Sequence, residues 1–159
     1  MFLRRIEQQD DKELFLLIQE CLKDANLDIP GTAYFDESIK KMSGFYLNES
    51  GRDYFVLVDE NNNVIGGAGF AEFNKQKKIA ELQKLYINKK FRGKKLSYLL
   101  VQKVEEEAKK CGYKSLYLET HHNLPIAIQL YKKLSYTQLN HAYPESEHSS
   151  MDYFFEKQL

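Results

Sequence analysis

The chain has 159 residues, of which 43% are hydrophobic and 29% are charged, a composition typical of a soluble globular protein. Its 23 basic and 23 acidic side chains cancel, so bulk attraction to nucleic acid or to an anionic membrane is not expected. The longest apolar runs are too short to cross a bilayer, and the first residues lack the apolar core of a signal peptide. We therefore expect one cytoplasmic domain over residues 1–159.

The apolar pattern of the first half predicts a strand, two helices and three further strands. In order, these are residues 2–6, a helix from Asp10 or Asp11 to about Asn26, a helix capped by Asp36 that runs to about Leu47, and three β-rich runs within residues 54–87. Three glycines, at positions 66, 67 and 69, fall inside a strand pair. Glycines there indicate a bulge or a crowded crossing of strands.

The second half alternates between helical and strand patterns. A helix from about Leu96 ends where Gly112 stands at a C-cap, and a second helix begins at Pro125. Strands are predicted at residues 115–120, near 135–140 and at 151–159. Because residues 79–120 form a strand, a loop, a helix and a strand, their two strands are predicted to be parallel neighbours. The fold class is therefore a mixed α/β sheet covered by helices.

The loop LYINKKFRGKKLS places five basic side chains between a strand that ends near Asn88 and a helix that begins near Leu96. A helix N-terminus has unpaired N–H groups, glycine allows close approach of a ligand, and arginine suits phosphate. This combination predicts a cradle for a pyrophosphate, although a solvated basic loop is an equally simple interpretation. Neither the P-loop pattern nor the Rossmann glycine pattern is present.

A second motif, HHNLPIAIQLYKKLSY, follows the basic loop and its helix. Together the two motifs resemble the GCN5-related N-acetyltransferase (GNAT) family, most strongly from Glu81 to Tyr136. The resemblance implies an α/β fold with a mixed, largely antiparallel central sheet and helices on both faces. Acetyl-CoA would lie in a V-shaped gap between two parallel strands. The family's acetyl-CoA motif is Arg/Gln-x-x-Gly-x-Gly/Ala. When it is aligned from Arg92, its two glycine positions are occupied by Lys95 and Ser97.

The same resemblance implies roles for particular residues. Backbone groups of the Leu85-Tyr86-Ile87 segment would hold the pantetheine arm as an added strand. The pyrophosphate would be bound by Arg92, Gly93, Lys94, Lys95, Leu96 and Ser97. Asn123 would lie beside the pantetheine or anchor the crossover.

Two residues are candidate catalysts. Tyr131 would protonate the departing thiolate of CoA, although an aromatic side chain on a helix is more commonly a core residue. Glu81 would act as the general base towards the amine, or it could be an outward-facing strand carboxylate. Glu119 is a weaker candidate for the base.

Lys95 allows a conformational prediction, because a lysine at positive φ costs about 1–2 kcal/mol. We expect negative φ at this position, in the first turn of the helix, with the side chain directed outwards beside the phosphates.

No metal site is predicted. His121 and His122 are adjacent, with no third ligand at metal spacing, and are interpreted as loop residues. Cys21 and Cys111 have neither metal nor redox spacing, so both are expected to be buried thiols in a reducing compartment.

The sequence therefore predicts an N-acetyltransferase that transfers an acetyl group from acetyl-CoA to a primary amine by direct attack in a ternary complex. The alternative is a non-catalytic acyl-CoA-binding or sensing module on the same fold. A nucleic-acid partner is disfavoured because the basic loop lacks stacking aromatics. The acceptor pocket is expected to involve residues 27–39 and 141–152, whose carboxylates could attract a cationic amine or could be caps and solvated charges. A homodimer formed through the C-terminal strands is possible.

Overall fold

The computed structural model describes residues 1–147 and 149–159. It contains four α-helices and seven strands among these residues. The helices are α1 (Asp11–Asp24), α2 (Met42–Leu47), α3 (Leu96–Lys110) and α4 (Pro125–Lys133). The strands are β1 (Phe2–Arg5), β2 (Asp53–Val58), β3 (Val64–Asn74), β4 (Ile79–Ile87), β5 (Ser115–Thr120), β6 (Thr137–Leu139) and β7 (Tyr153–Gln158). The predicted order of elements is confirmed.

The strands form one sheet in the order β1-β2-β3-β4-β5-β7-β6. Strands β4 and β5, which α3 connects, are parallel neighbours. All the other neighbouring strands pair antiparallel. The largely antiparallel sheet and the predicted parallel neighbours are therefore both confirmed.

Alternate residues of the sheet pack against helices on opposite faces. In β2, Phe55 and Leu57 join the core beneath α3 and α4, whereas Tyr54, Val56 and Val58 join the core beneath α1 and α2. This alternation follows from the two-residue period of a strand. Helices therefore cover both faces of the sheet, as predicted.

Two of the three strand glycines lie at a crowded crossing, as predicted. A Cβ atom added to Gly67 would come within 2.5 Å of the Tyr54 ring, and one added to Gly69 would come within 2.5 Å of both that ring and the Asp53 carbonyl oxygen. Because glycine has no side chain, the Tyr54 ring can lie against β3 at these two positions. Its hydroxyl then reaches β4 and donates to the Lys84 carbonyl oxygen at 2.8 Å.

Three local predictions need correction. The helix predicted from Asp36 is divided into a 3-10 helix at Glu37–Lys41 and α2, and the Asp36 side chain makes no capping hydrogen bond. The side chain of Asp10 likewise does not cap α1. Cys111 follows α3 at the surface and is exposed, while Cys21 is buried as expected.

The predicted end of α3 is confirmed. Gly112 has φ of +88°, its N–H donates to the Lys109 carbonyl, and the next N–H, from Tyr113, donates to the Ala108 carbonyl. These two bonds form a Schellman motif. No helix among the described residues is long and apolar enough to cross a membrane.

Candidate active site

The two parallel strands separate part-way along their length. They pair only at Ile79↔Ser115, Ala80↔Leu116 and Glu81↔Tyr117, although β4 continues to Ile87 and β5 to Thr120. The rest of the β4 edge that faces β5 has no strand partner, so a V-shaped gap opens there. Unpaired strand edges bind extended chains through backbone hydrogen bonds.

A β-bulge in β4 accompanies the opening. Gly69 pairs with Gln83, whereas Gly67 pairs with Tyr86, so Lys84 and Leu85 together lie opposite the single residue Ala68. Lys84 has φ of +52°. A bulge bends the strand and interrupts the alternation of side chains. Here it lies three residues beyond Glu81, where the pairing of β4 with β5 ends.

The gap widens into a cleft of about 650 Å³. Most of the residues predicted to bind the cofactor line it, and so do both predicted catalytic residues: Glu81, Leu85, Tyr86, Ile87, Arg92, Gly93, Lys95, Leu96, Ser97, Asn123 and Tyr131. Lys94 does not line it; its ammonium lies 5.3 Å from the centre of the Phe91 ring. The two sequence motifs are therefore brought together around one cavity.

The N-terminus of α3 lies at one end of this cleft. The backbone N–H groups of residues 93–97 donate to no acceptor within the described part of the chain. Gly93 and Lys95 are both left-handed, with φ of +80° and +59°. Left-handed residues between turns commonly gather successive N–H groups around an anion. The loop therefore has the backbone donors that a phosphate group requires.

The predicted negative φ of Lys95 is wrong. Lys95 is the N-cap of α3 and adopts the left-handed conformation, so the first helical residue is Leu96. The tight entry into the helix requires this conformation whichever side chain is present. A glycine would adopt it without the steric conflict that Lys95 carries.

Arg92 lines the cleft and also contacts the protein around it. Its Nε donates to the Ile87 carbonyl oxygen at 3.0 Å, and its Nη2 lies 3.5 Å from the sulfur of Cys21 on α1. The guanidinium thereby joins the end of β4 to α1 at the border of the cleft.

Tyr131 reaches the cleft from α4. It is 6% exposed, and its ring packs against Tyr136 and Phe155, each with centroids 5.8 Å away. Burial raises the pKa of the Tyr131 hydroxyl well above its usual range, because a phenolate would lose hydration there. The group is therefore a neutral proton donor across the physiological range of pH.

Two carboxylates border the gap, one on each strand. Glu81 accepts a hydrogen bond from Gln83 Nε2 at 2.6 Å, and Gln83 in turn accepts one from the Tyr46 hydroxyl at 2.8 Å. Across the gap, Glu119 Oε1 accepts from Tyr117 at 3.0 Å. Its Oε2 is buried without a hydrogen-bond partner among the described residues. Both carboxylates can receive a proton from a bound group.

Comparison with known proteins agrees with this arrangement. Residues 13–136, more than half of the chain, match the Acetyltransferase (GNAT) family. The chain belongs to the GNAT family. It is 31% identical over 142 residues to "Uncharacterized N-acetyltransferase YjgM" of Escherichia coli, covering 88% of this chain and 84% of that protein. It is also 28% identical over 131 residues to an uncharacterised N-acetyltransferase of Schizosaccharomyces pombe, covering 80% and 77%.

Solved structures support the GNAT fold. A GNAT-family acetyltransferase of Staphylococcus aureus superposes with a TM-score of 0.87 at 19% identity, covering 99% of this chain and 98% of that one. The PaiA N-acetyltransferase of Thermoplasma acidophilum, solved in complex with coenzyme A, superposes with a TM-score of 0.78 at 18% identity, covering 99% and 98%. The predicted family and fold class are confirmed.

Several residues of this GNAT site were not predicted from the sequence. Cys21 and Leu22 of α1, Thr120 at the end of β5 and Met151 in the C-terminal segment all line the cleft. Asn123, which was predicted, also lines the cleft, and its amide donates to the Ala25 carbonyl at 3.0 Å. The four unpredicted residues come from segments that are distant in sequence, and no local pattern signals them.

A second, smaller cavity of about 290 Å³ adjoins the cleft, and we call it the side cavity. Its lining shares Glu81, Gln83 and Lys84 with the cleft and otherwise comes from the region of residues 36–46, from β3 and from residues 145–147. The acceptor segments predicted from the sequence contribute Asp36, Ser38, Glu145 and Glu147. Because these three β4 residues line both the cleft and the side cavity, the two cavities adjoin at the β4 bulge.

The histidine pair lies close to a carboxylate. His121, His122 and Asp152 offer ligand atoms that all lie within 4.8 Å of one another, and His122 Nδ1 forms a hydrogen bond with Asp152. His121 Nδ1 accepts the N–H of Asn123 at 3.1 Å. These bonds account for the local order of the loop, and the absence of a resident metal stays a prediction.

Replacing Lys95 tests the strain at the entry to α3. Lys95→Gly and Lys95→Ala both remove the ammonium, but only glycine relieves the left-handed conformation. We expect the glycine variant to be more stable than the alanine variant by about 1 kcal/mol, because about 1–2 kcal/mol of steric cost is partly offset by the entropy of glycine in the unfolded chain. Urea unfolding of the two variants measures the difference. Equal stability would show that the chain is not left-handed at this position.

Proposed function

We propose that the chain transfers an acetyl group from acetyl-CoA to a primary amine by direct attack within a ternary complex. The observation that carries the proposal is the gap between β4 and β5, which leads to the unpaired N–H groups at residues 93–97. Tyr131 and two carboxylates border the same cleft. We also infer that residues 1–159 act as one catalytic domain.

The cleft suits the parts of acetyl-CoA in order along its length. The pantetheine amides would pair with the unpaired edge at residues 85–87, as an added strand does. The pyrophosphate would accept the N–H groups of residues 93–97, with Lys95 adding positive charge beside it. The coenzyme A complex of the Thermoplasma protein supports an acyl-CoA ligand for this fold.

The reaction follows from the groups that meet at the bulge. The acceptor ammonium first loses a proton to Glu81, directly or through water, because an amine with a pKa near 10.4 is protonated at neutral pH. The free nitrogen then attacks the thioester carbon, and backbone N–H groups at the bulge can stabilise the oxyanion. As the C–S bond breaks and the amide forms, Tyr131 protonates the leaving thiolate. The nitrogen releases its second proton at this stage, and that proton, passed through water, restores the Tyr131 hydroxyl.

A matched pair of variants shows which of the two carboxylates, Glu81 or Glu119, acts as the general base. Glu81→Gln should lower kcat by roughly 10²-fold or more, because the amide cannot accept the proton of the ammonium. Glu119→Gln removes the same charge from the other strand and should change kcat much less. Steady-state kinetics against pH measures both, and the acidic limb of the profile should disappear only in Glu81→Gln. The opposite ranking of the two variants would assign the base to Glu119.

Release of free thiol from acetyl-CoA, followed with a panel of primary amines, tests the proposed transfer directly. Amine-dependent thiol release and an acetylated amine in the mass spectrum are the expected result. Slow hydrolysis of acetyl-CoA that no amine stimulates would instead favour the non-catalytic acyl-CoA-binding module.

A further inference from the structure

Lys84 lies where the donor cleft and the side cavity meet, since it lines both. The β4 bulge creates this position. Gln83 bonds to Tyr46 on the α2 face of the sheet, and the extra residue of the bulge brings the next side chain into the side cavity as well. The backbone is fixed there by the hydrogen bond from Tyr54 to the Lys84 carbonyl oxygen.

The Lys84 ammonium is without a partner in the described part of the chain, where it forms no hydrogen bond or ion pair. Desolvation lowers the pKa of this ammonium, while the charges of Asp36 and Glu81 act in the opposite direction. Lys84 is half-buried, and partly removing a charged group from water without a hydrogen-bond partner is costly, as is a lysine at positive φ. A site that retains both features is suited to an anion that arrives with a ligand.

The position of Lys84 limits where that anion can be on the acceptor. The attacking nitrogen must reach the thioester at the junction of the two cavities, and Lys84 borders that junction. The anion must therefore lie within a few bonds of the nitrogen. An α-amino acid has this arrangement, because its amine and its carboxylate share one carbon atom. A diamine or polyamine has no such anion.

Apart from Lys84, the side cavity is lined by negative charge. Besides Glu81 and Lys84, its lining includes four carboxylates: Asp36, Glu72, Glu145 and Glu147. Within residues 1–147 and 149–159, Glu145 is the only one of these four whose side chain accepts a hydrogen bond, from the amide of Asn74. This excess of negative charge repels an acidic side chain and attracts a cationic one.

We propose that the acceptor is an α-amino acid with a cationic side chain, whose carboxylate pairs with Lys84 while its side chain enters the acidic part of the side cavity. This inference rests on the proposed function and names the substrate class of the same site. The α-nitrogen loses its proton, forms the new N–C bond, and the CoA thiolate leaves, as in the mechanism above.

Three small molecules test separately the two proposed contacts, that of the carboxylate with Lys84 and that of the cationic side chain with the acidic lining. L-Arginine has one primary amine, the α-amine; agmatine is the same molecule without the carboxylate, and L-citrulline is a neutral analogue of its side chain. We expect the wild-type chain to acetylate arginine with a kcat/KM at least ~10-fold above that of agmatine and of citrulline, because a site built to bind a polar group rejects an analogue that lacks it. This comparison requires no variant.

Lys84→Met then tests the assignment to this residue. The variant should lose ~10-fold or more in kcat/KM for arginine and change by less than ~2-fold for agmatine, which has no carboxylate to lose. Lys40→Met is the control, since Lys40 is an exposed lysine that is paired with Glu37 and lines neither the cleft nor the side cavity. It should leave the arginine-to-agmatine ratio unchanged.

The outcomes that overturn the inference differ from those that overturn the proposed function. Agmatine used as well as arginine, or an equal loss for both in Lys84→Met, would overturn the amino-acid assignment while leaving the acetyltransferase intact. Acetyl-CoA binding without stimulation by any amine would overturn the proposed function, and this inference with it.

Discussion

Tyr131→Phe should lower turnover by roughly 10²-fold or more while leaving acetyl-CoA affinity nearly unchanged. The substitution retains the ring that packs against Tyr136 and Phe155 and removes only the hydroxyl. Without that proton donor, the thiolate must leave as an anion inside a buried cleft, where charge is poorly solvated. Burial raises the pKa of Tyr131, so its hydroxyl keeps its proton at neutral pH until the thiolate departs.

Tyr136→Phe is the matched control for this prediction. Tyr136 is 4% exposed and packs beside Tyr131, but it does not line the cleft. Loss of its hydroxyl should leave turnover near the wild-type value, whatever its effect on stability. Single-turnover kinetics at saturating acetyl-CoA compares the two variants. A folded Tyr131→Phe variant with normal turnover would show that Tyr131 is a core residue only.

Gly69→Ala should lower the free energy of unfolding by about 3 kcal/mol, at the upper end of the usual cost of overpacking. The new Cβ would come within 2.5 Å of the Asp53 carbonyl oxygen and of the Tyr54 ring. Neither group can move independently, because Asp53 and Tyr54 belong to the neighbouring strand β2. Displacing Tyr54 would also break the hydrogen bond that holds the Lys84 carbonyl in the bulge.

Gly44→Ala is the matched control on α2. A Cβ there would meet no atom within 4 Å. Alanine should raise stability by about 0.5–1 kcal/mol, since glycine is the poorer helix former. Urea unfolding of both variants gives the comparison. A Gly69→Ala variant as stable as the wild-type chain would contradict the close crossing of Tyr54 over β3.

The order of elements could be predicted because it depends on local patterns. The period of the apolar residues gave each helix and strand, and Gly112 and Pro125 marked helix ends through their own backbone geometry. The error at Lys95 has a physical reason. The prediction considered only the steric cost to lysine, whereas the loop's entry into α3 imposes the left-handed conformation on whichever residue stands there.

The site required the structure because its parts are distant in sequence. The sequence analysis predicted that residues 27–39 and 141–152 form the acceptor pocket. Nothing in the sequence indicates that Lys84 lines the same cavity as Asp36 and Glu147, since only the folded sheet brings them together. One signal was available in the sequence. In ELQKLYI the apolar residues Leu82 and Leu85 are three positions apart instead of two, which is the pattern of a bulge. Recognising it would have placed two successive polar side chains on one face.

The most direct test of the account is whether acetyl-CoA stabilises the folded chain. A ligand that binds only the native state at 100 times its Kd adds about 2.7 kcal/mol. For a chain of this size that corresponds to a rise in Tm of roughly 5–10 °C. ATP and NAD have phosphates for the α3 N-terminus but no pantetheine for the open edge of β4, so they should give much smaller shifts. A thermal melt with each ligand makes the comparison. A clear rise in Tm with acetyl-CoA and much smaller rises with ATP and NAD are the predicted result. No rise at millimolar acetyl-CoA, or an equal rise with ATP, would contradict the account.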